Sequence, residues 1–357
     1  EREGAREYQG YRAVRLLQLR YISLEAHARR PAGMSDAQFH RGLIFTELEK
    51  FDDAIDAFHT VTEQDPENTP ALFFTGSALN RLRRYEDAIT VLDQLLLISP
   101  QNANAHYQKG RALMNLKRYQ EAHLAFVSAL EYDPALAHIS LYDGITLAKQ
   151  GADEEAIAAF DRELSLNPKN TEAAIRKGKS LIRLGRHPDA IAVLTESLEK
   201  DPRNMWSWCY LGNAYSATDS LEDAIQAFDK VLEINRRCTY AFFEKGKALA
   251  RLGKPLEAVV SYDQALELSP DNAGILYNKG IALAQREKYD DAIIAFEKAL
   301  ALEPDNAEGL YYMGIALAGR ERYPESIRAF DHSLALNPSN APAHHYRGIA
   351  LIQTEQL

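Results

Sequence analysis

A glycine recurs every 34 residues along this 357-residue chain, at Gly42, Gly76, Gly110, Gly144, Gly178, Gly212, Gly246, Gly280, Gly314 and Gly348, with no insertion or deletion. A period of that length makes each unit one small supersecondary piece, which buries its apolar faces by stacking on copies of itself. Other positions keep the same register. Twelve residues after the glycine stands a small side chain: Ala54, Ala88, Ala122, Ala156, Ala190, Ala224, Ala258, Ala292 and Ser326. Sixteen after it stands a large apolar one: Phe58, Leu92, Phe126, Phe160, Leu194, Phe228, Tyr262, Phe296 and Phe330. Twenty-four after it comes proline, from Pro66 to Pro338, with Arg236 as the exception.

Each feature has a mechanical reason. Apolar residues recur at three- and four-residue steps in two blocks, such as Leu276, Tyr277, Ile281 and Leu283, then Ala292, Ile293, Phe296 and Leu300. That spacing predicts two amphipathic helices per unit. Glycine and alanine at fixed places let two helix backbones approach closely, and the large residue is expected to fill the space that they leave. Proline is expected to end the second helix, since it lacks a backbone donor and restricts the residue before it. Ser35 with Gln38 has the pattern of a capping box, and Pro70, Pro188 and Pro324 suit first helical positions.

Composition narrows the function. The formal net charge of -10 and a pI near 5.6 give a field that repels nucleic acid and anionic membrane surfaces. Cys209 and Cys238 are the only cysteines and show no metal-type spacing, which fits a reducing compartment or a protein indifferent to redox conditions; a cytoplasmic location is expected. Apolar runs such as Leu95 to Ile98 are too short to span a bilayer, and Glu1-Arg2-Glu3-Gly4 lacks the order of a signal peptide.

A 34-residue helix-turn-helix unit with this glycine, alanine, aromatic and proline order resembles the tetratricopeptide repeat over residues 35 to 354. The resemblance implies an all-α, right-handed superhelical solenoid. Nine full repeats run from 35–68 to 307–340, and 341–357 carries the first helix of a tenth. Residues 1–34, with Tyr11, Val14, Leu17, Tyr21 and Leu24 at helical spacing, are expected to form a degenerate repeat or cap. Ile349, Leu351 and Ile352 lose the cover a second helix would give. The expectation is an excerpt of a longer protein, or an end that packs against another copy.

The resemblance also implies a concave groove lined by first helices, which holds a protein or peptide partner. Positions six and three before each glycine, and one, four and five after it, are implied to face it. Trp206, Tyr240, Phe243, Tyr277 and Tyr311 would then form an aromatic strip across repeats six to nine, able to anchor a peptide. The rings three before the glycine could equally pack on neighbouring helices. Lys179 and Lys247, one after their glycines, and Arg183 and Arg251, five after theirs, extend a basic strip that also includes Arg81, Arg111 and Lys149. In an acidic protein that strip predicts an acidic peptide or a free carboxylate as ligand. The family's carboxylate clamp has lysine three before a glycine and asparagine one after. Asn213 matches, but Cys209 replaces the lysine, so a chaperone tail is not the expected ligand. The asparagine ladder of the family's glycosyltransferase arms is missing too, since two before the glycine only Asn278 qualifies.

Catalytic readings fare worse. Gly178-Lys179-Ser180 resembles the end of a phosphate loop, but Ala173 occupies the required earlier glycine and the segment reads as helix. Adjacent His344 and His345 point to different helix faces, so no metal and no cofactor is expected. Acidic pairs such as Asp52-Asp53 and Asp290-Asp291 open second helices, where the dipole favours them. Three functions remain: a non-enzymatic scaffold that binds a peptide or helix, which is favoured; a substrate-positioning or regulatory arm of a larger multidomain enzyme; and a structural repeat protein that self-associates through its uncapped C-terminal end.

Overall fold

The computed structural model describes residues 34–136 and 138–354, so the expected cap over 1–34 lies outside the described residues but for its last position. The regular structure there is nineteen α-helices with no strand. The first helices of successive repeats are α1 (Met34–Glu47), α3 (Thr69–Arg81), α5 (Ala103–Asn115), α7 (Ile139–Gln150), α9 (Thr171–Arg183), α11 (Met205–Ala217), α13 (Thr239–Arg251), α15 (Ala273–Ala284), α17 (Ala307–Gly319) and α19 (Ala341–Gln353). The second helices are α2 (Phe51–Gln64), α4 (Tyr85–Ile98), α6 (Tyr119–Tyr132), α8 (Asp153–Leu166), α10 (His187–Lys200), α12 (Leu221–Ile234), α14 (Pro255–Leu268), α16 (Tyr289–Leu302) and α18 (Tyr323–Leu336). The chain divides into two compact units, Glu1–Ala173 and Ala174–Leu357, and each is an all-α repeat solenoid.

The glycine register is a set of notches. A Cβ built on Gly280 would lie 2.6 Å from Phe296 Cε1, and one on Gly76 would lie 2.7 Å from Leu92 Cγ. The same clash, always with the residue sixteen later, recurs at every glycine of the series except Gly348, which has nothing within 4 Å. Large side chain and missing side chain therefore occupy one volume, at the density of a protein interior. The alanines twelve after the glycine are fully buried, as is Ser326, whose hydroxyl donates to Gly314 O at 2.8 Å. That bond lets a polar residue take the alanine position without an orphaned group.

Helix ends are set by residues beyond the proline. Asn68, Asn102, Asn170, Asn204, Asn272, Asn306 and Asn340, each eight before a glycine, accept a bond from the backbone amide three residues on. This is the N-cap that first helices need. Ser35 does not cap α1, because helical structure already includes Met34. Nor is proline required at the other end. Helix α12 stops at Ile234 although Arg236 replaces proline, and the Asn235 side chain closes the turn by accepting from the Arg237 amide at 3.0 Å. Cys238 holds the cap position of α13 and makes no side-chain cap bond. Cys238→Asn is expected to raise stability by roughly 1 kcal/mol over Cys238→Ala, read by chemical denaturation; equal stability of the two variants would contradict the capping account.

Repeat four breaks the rule. Leu136 stands where asparagine should, α7 begins late at Ile139, and His138 adopts the left-handed region at φ 69°. Its ring lies 3.3 Å from the buried Glu163 carboxylate, which also accepts from Asn170 at 2.7 Å. Glu163 holds the His138 pKa above its ordinary value, with Glu172 adding to it. Burial opposes ionisation of Glu163, yet the bonds from His138 and Asn170 carry its pKa below the ordinary carboxylate value. A raised histidine pKa stabilises below about 6.5, and that gain is lost as pH rises through the folded value. A lowered carboxylate pKa stabilises above about 4.5, and is lost as pH falls through its folded value. Amide protection at the start of α7 should therefore peak between those limits and decline on the alkaline side, and His138→Ala should flatten that decline. A decline that survives His138→Ala would contradict the pairing.

A second helix packs against its own first helix and against the one that follows, as α4 does against α3 and α5 and α16 against α15 and α17. Successive first helices also touch, for example α3 with α5 and α15 with α17, whereas no two successive second helices do so among the described residues. The first helices are thus the tighter side of each stack.

Candidate functional site

The sequence-selected residues all lie in the second unit, on α9, α11, α13, α15 and α17. Trp206 and Tyr240 occupy the same position, six before the glycine, on α11 and α13. They are 58% and 43% exposed, respectively. The Tyr240 hydroxyl donates to Asn213 Oδ1 at 2.8 Å; burial, and then the Glu244 carboxylate, pushes its pKa up to about 12. Asn213 is therefore engaged by the next repeat.

Phe243, Tyr277 and Tyr311 are half-buried. Each ring lies 6.1 Å from the residue that fills its own repeat's glycine notch: Tyr262, Phe296 and Phe330. These three side chains thus pack on the core while remaining partly accessible. The sequence reading missed two further rings, Tyr312 and Tyr346. Tyr312 lies 5.9 Å from Tyr277 and 5.0 Å from Tyr311, and Tyr346 lies 6.1 Å from Tyr311. Both stand two before a glycine, a position read above for asparagine alone. Reading it for aromatic residues would have found them.

The cations are less uniform than their spacing implies. Lys179 Nζ sits 5.9 Å from the centre of the Tyr210 ring, and Arg183 reaches Ser180 Oγ at 3.4 Å. Lys247 pairs with Glu244 at 2.9 Å and covers the Phe243 ring at 5.2 Å. Arg251 donates to Ser216 O and pairs with Asp219, both at 2.8 Å. Glu244 stands two before its glycine and Asp219 in the turn between helices, so neither falls in the two rows from which the strip was read. Cys209, three before Gly212, is buried, and desolvation pushes its pKa up to about 12, with Cys238 adding to the shift. Such a thiol is a small apolar wall and a poor nucleophile.

The comparisons with known proteins follow the same register. The family model described as Tetratricopeptide repeat matches residues 39–103, 107–171, 175–237 and 243–307, and a second model of that description matches 307–340. The chain is a tetratricopeptide repeat protein. A search of the curated proteins finds no match. Among solved structures, a tetratricopeptide repeat protein from Parabacteroides merdae is 16% identical at TM-score 0.53, with 70% of this chain and 99% of that one covered. The C-terminal part of a TPR repeat-containing protein from Cytophaga hutchinsonii is 18% identical at TM-score 0.52, covering 77% and 98%. The APC/C hetero-tetramer Cut9-Hcn1 is 20% identical at TM-score 0.51, covering 89% and 64%. At such identities the likeness speaks to the fold. A tetratricopeptide array of this kind is a protein-interaction scaffold. No helix among the described residues is long and apolar enough to cross a membrane.

Proposed function

We propose that this tetratricopeptide protein holds an extended peptide of a partner along the first helices of its second unit, with no catalytic step of its own. The observation that carries the reading is the exposure of Trp206 and Tyr240 at one position of successive first helices, on the tighter side of the stack. Large exposed aromatic side chains lose little rotamer freedom on binding and are common anchors of interfaces. Phe243, Tyr277 and Tyr311, half-buried on α13, α15 and α17, would supply a floor for the same peptide. Lys179 and Arg183 lie on the preceding first helix, and Lys247 and Arg251 lie on the helix of Tyr240 and Phe243. These cations favour a ligand whose acidic residues face them, with Glu244 and Asp219 lowering the net charge at the second pair.

Display selection of random peptides on the intact chain tests this. Enrichment of acidic sequences is expected, with affinity falling about ten-fold or more in the combined Lys179→Glu, Arg183→Glu, Lys247→Glu and Arg251→Glu protein. Unchanged affinity in that protein would remove the basic strip from the reading.

One observation favours a second reading. On α19, Tyr346, Ile349 and Ile352 are exposed, and no second helix covers them among the described residues. Association of two copies through this face would bury them, and sedimentation should then depend on concentration and respond to Ile352→Glu.

A further inference from the structure

A cleft of about 540 Å³ opens in the second unit between the start of α17 and the segment that joins α18 to α19. Glu308, Tyr311, Tyr312, Asn337, Ser339 and Asn340 contribute to its wall, and among the described residues Glu308 is the only charged one that lines it. Glu308 stands in the first turn of α17, where the helix dipole alone would favour an acid, so its presence there assigns nothing. Its surroundings do. It is exposed and makes no ion pair among the described residues, whereas Lys247, Arg251, Lys279 and Arg320 on these first helices and their turns each have an acid. The rings of Tyr311 and Tyr312 meet edge to face at 5.0 Å and 66°, so one of them turns its negative face where the other turns its edge. On the neighbouring α15, the buried Tyr277 hydroxyl lies toward Glu308. Burial first, then the Glu308 carboxylate, raises its pKa, so it stays a neutral donor on that side. Asn340 Oδ1 is occupied by the Ala343 amide and Asn337 Oδ1 by the Ser339 hydroxyl. A carboxylate with no cationic partner among the described residues, beside two tyrosine rings, is complementary in charge to an ammonium group with an alkyl stem.

We infer that this cleft receives a basic side chain of the partner, with lysine as its test case, at a point of the ligand separate from its acidic stretch. The inference deepens the peptide reading of the same face and rests on it. It gives the ligand a direction, with its acidic part toward α9 and α13 and its basic residue toward α17.

The blocked tripeptide N-acetyl-Gly-Lys-Gly-amide is the probe, titrated into the full chain while the backbone amide signals of α17 are followed by NMR. Its counterpart with norleucine in place of lysine, and unblocked triglycine, are separate arms; the last separates a side-chain ammonium from a free N-terminus. Shifts are expected at Glu308 and Tyr312 with the lysine peptide, weakened about five-fold by Glu308→Gln and by added salt. Equal shifts with the norleucine peptide, or unchanged lysine binding in both Glu308→Gln and Tyr312→Leu, would overturn the inference. An acidic display-selected peptide in the same samples keeps the two readings apart. Its continued binding with no lysine effect sinks the cleft alone, and loss of both sinks the face.

Discussion

Phe296→Ala should cost the second unit about 3–5 kcal/mol, a large fraction of what any single packing interaction supplies. The ring is fully buried and sits against Gly280 in the notch that the missing side chain leaves, so its removal opens a cavity between α15 and α16. A matched pair of glycine substitutions sharpens the test. Gly280→Ala places a methyl 2.6 Å from Phe296 Cε1, which forces the ring out of position at about 1–3 kcal/mol, against a helix-propensity gain near 1 kcal/mol. Gly348→Ala changes the same residue in the same register with nothing within 4 Å, so only the gain remains. Opposite signs are expected. Because a repeat array can unfold in stages, hydrogen exchange of α15, α16 and α19 is the measurement, rather than one global midpoint. Equal effects of the two glycine substitutions would show that the notch is not what fixes the glycine.

Trp206→Ala should weaken the selected peptide about thirty-fold while leaving thermal stability nearly unchanged. The separation follows from exposure: an indole 58% accessible contributes little to the folded state and much to an interface that would desolvate it. Trp208→Phe is the contrast, since the Trp208 indole packs on the core and its N–H donates to Pro202 O at 3.0 Å. Its loss should lower stability and leave peptide affinity nearly as it was. Isothermal titration alongside thermal melting checks both, and a Trp206 variant that binds as tightly as the parent would remove the aromatic anchor.

The parts legible in the sequence are those whose causes lie within one repeat. Gly280 and Phe296 are sixteen residues apart and meet inside one helix pair, so period and residue type were enough to place them. Cap chemistry was equally local. Asn68 and its six equivalents stand eight residues before their glycines and were not read as caps, while proline was read as the terminator, which Arg236 shows is not required. The late start of α7 follows from Leu136 at that same cap position.

What escaped depends on contacts between repeats. Arg251 finds Asp219 across 32 residues, and Tyr240 finds Asn213 across 27, through side-chain directions that spacing alone leaves open. The basic strip therefore looked freer in the sequence than the second unit makes it. The cleft beside Glu308 depends on the path of the segment joining α18 to α19 over α17, and no motif announces that.

The most direct measurement is the emission of Trp206 as the only tryptophan, in the Trp208→Phe background, while a display-selected acidic peptide is added to saturation. The account predicts a blue shift and a saturable change in intensity that vanish when Lys179, Arg183, Lys247 and Arg251 are reversed in charge. Full binding by calorimetry with emission unmoved would put the ligand elsewhere on the protein and contradict it.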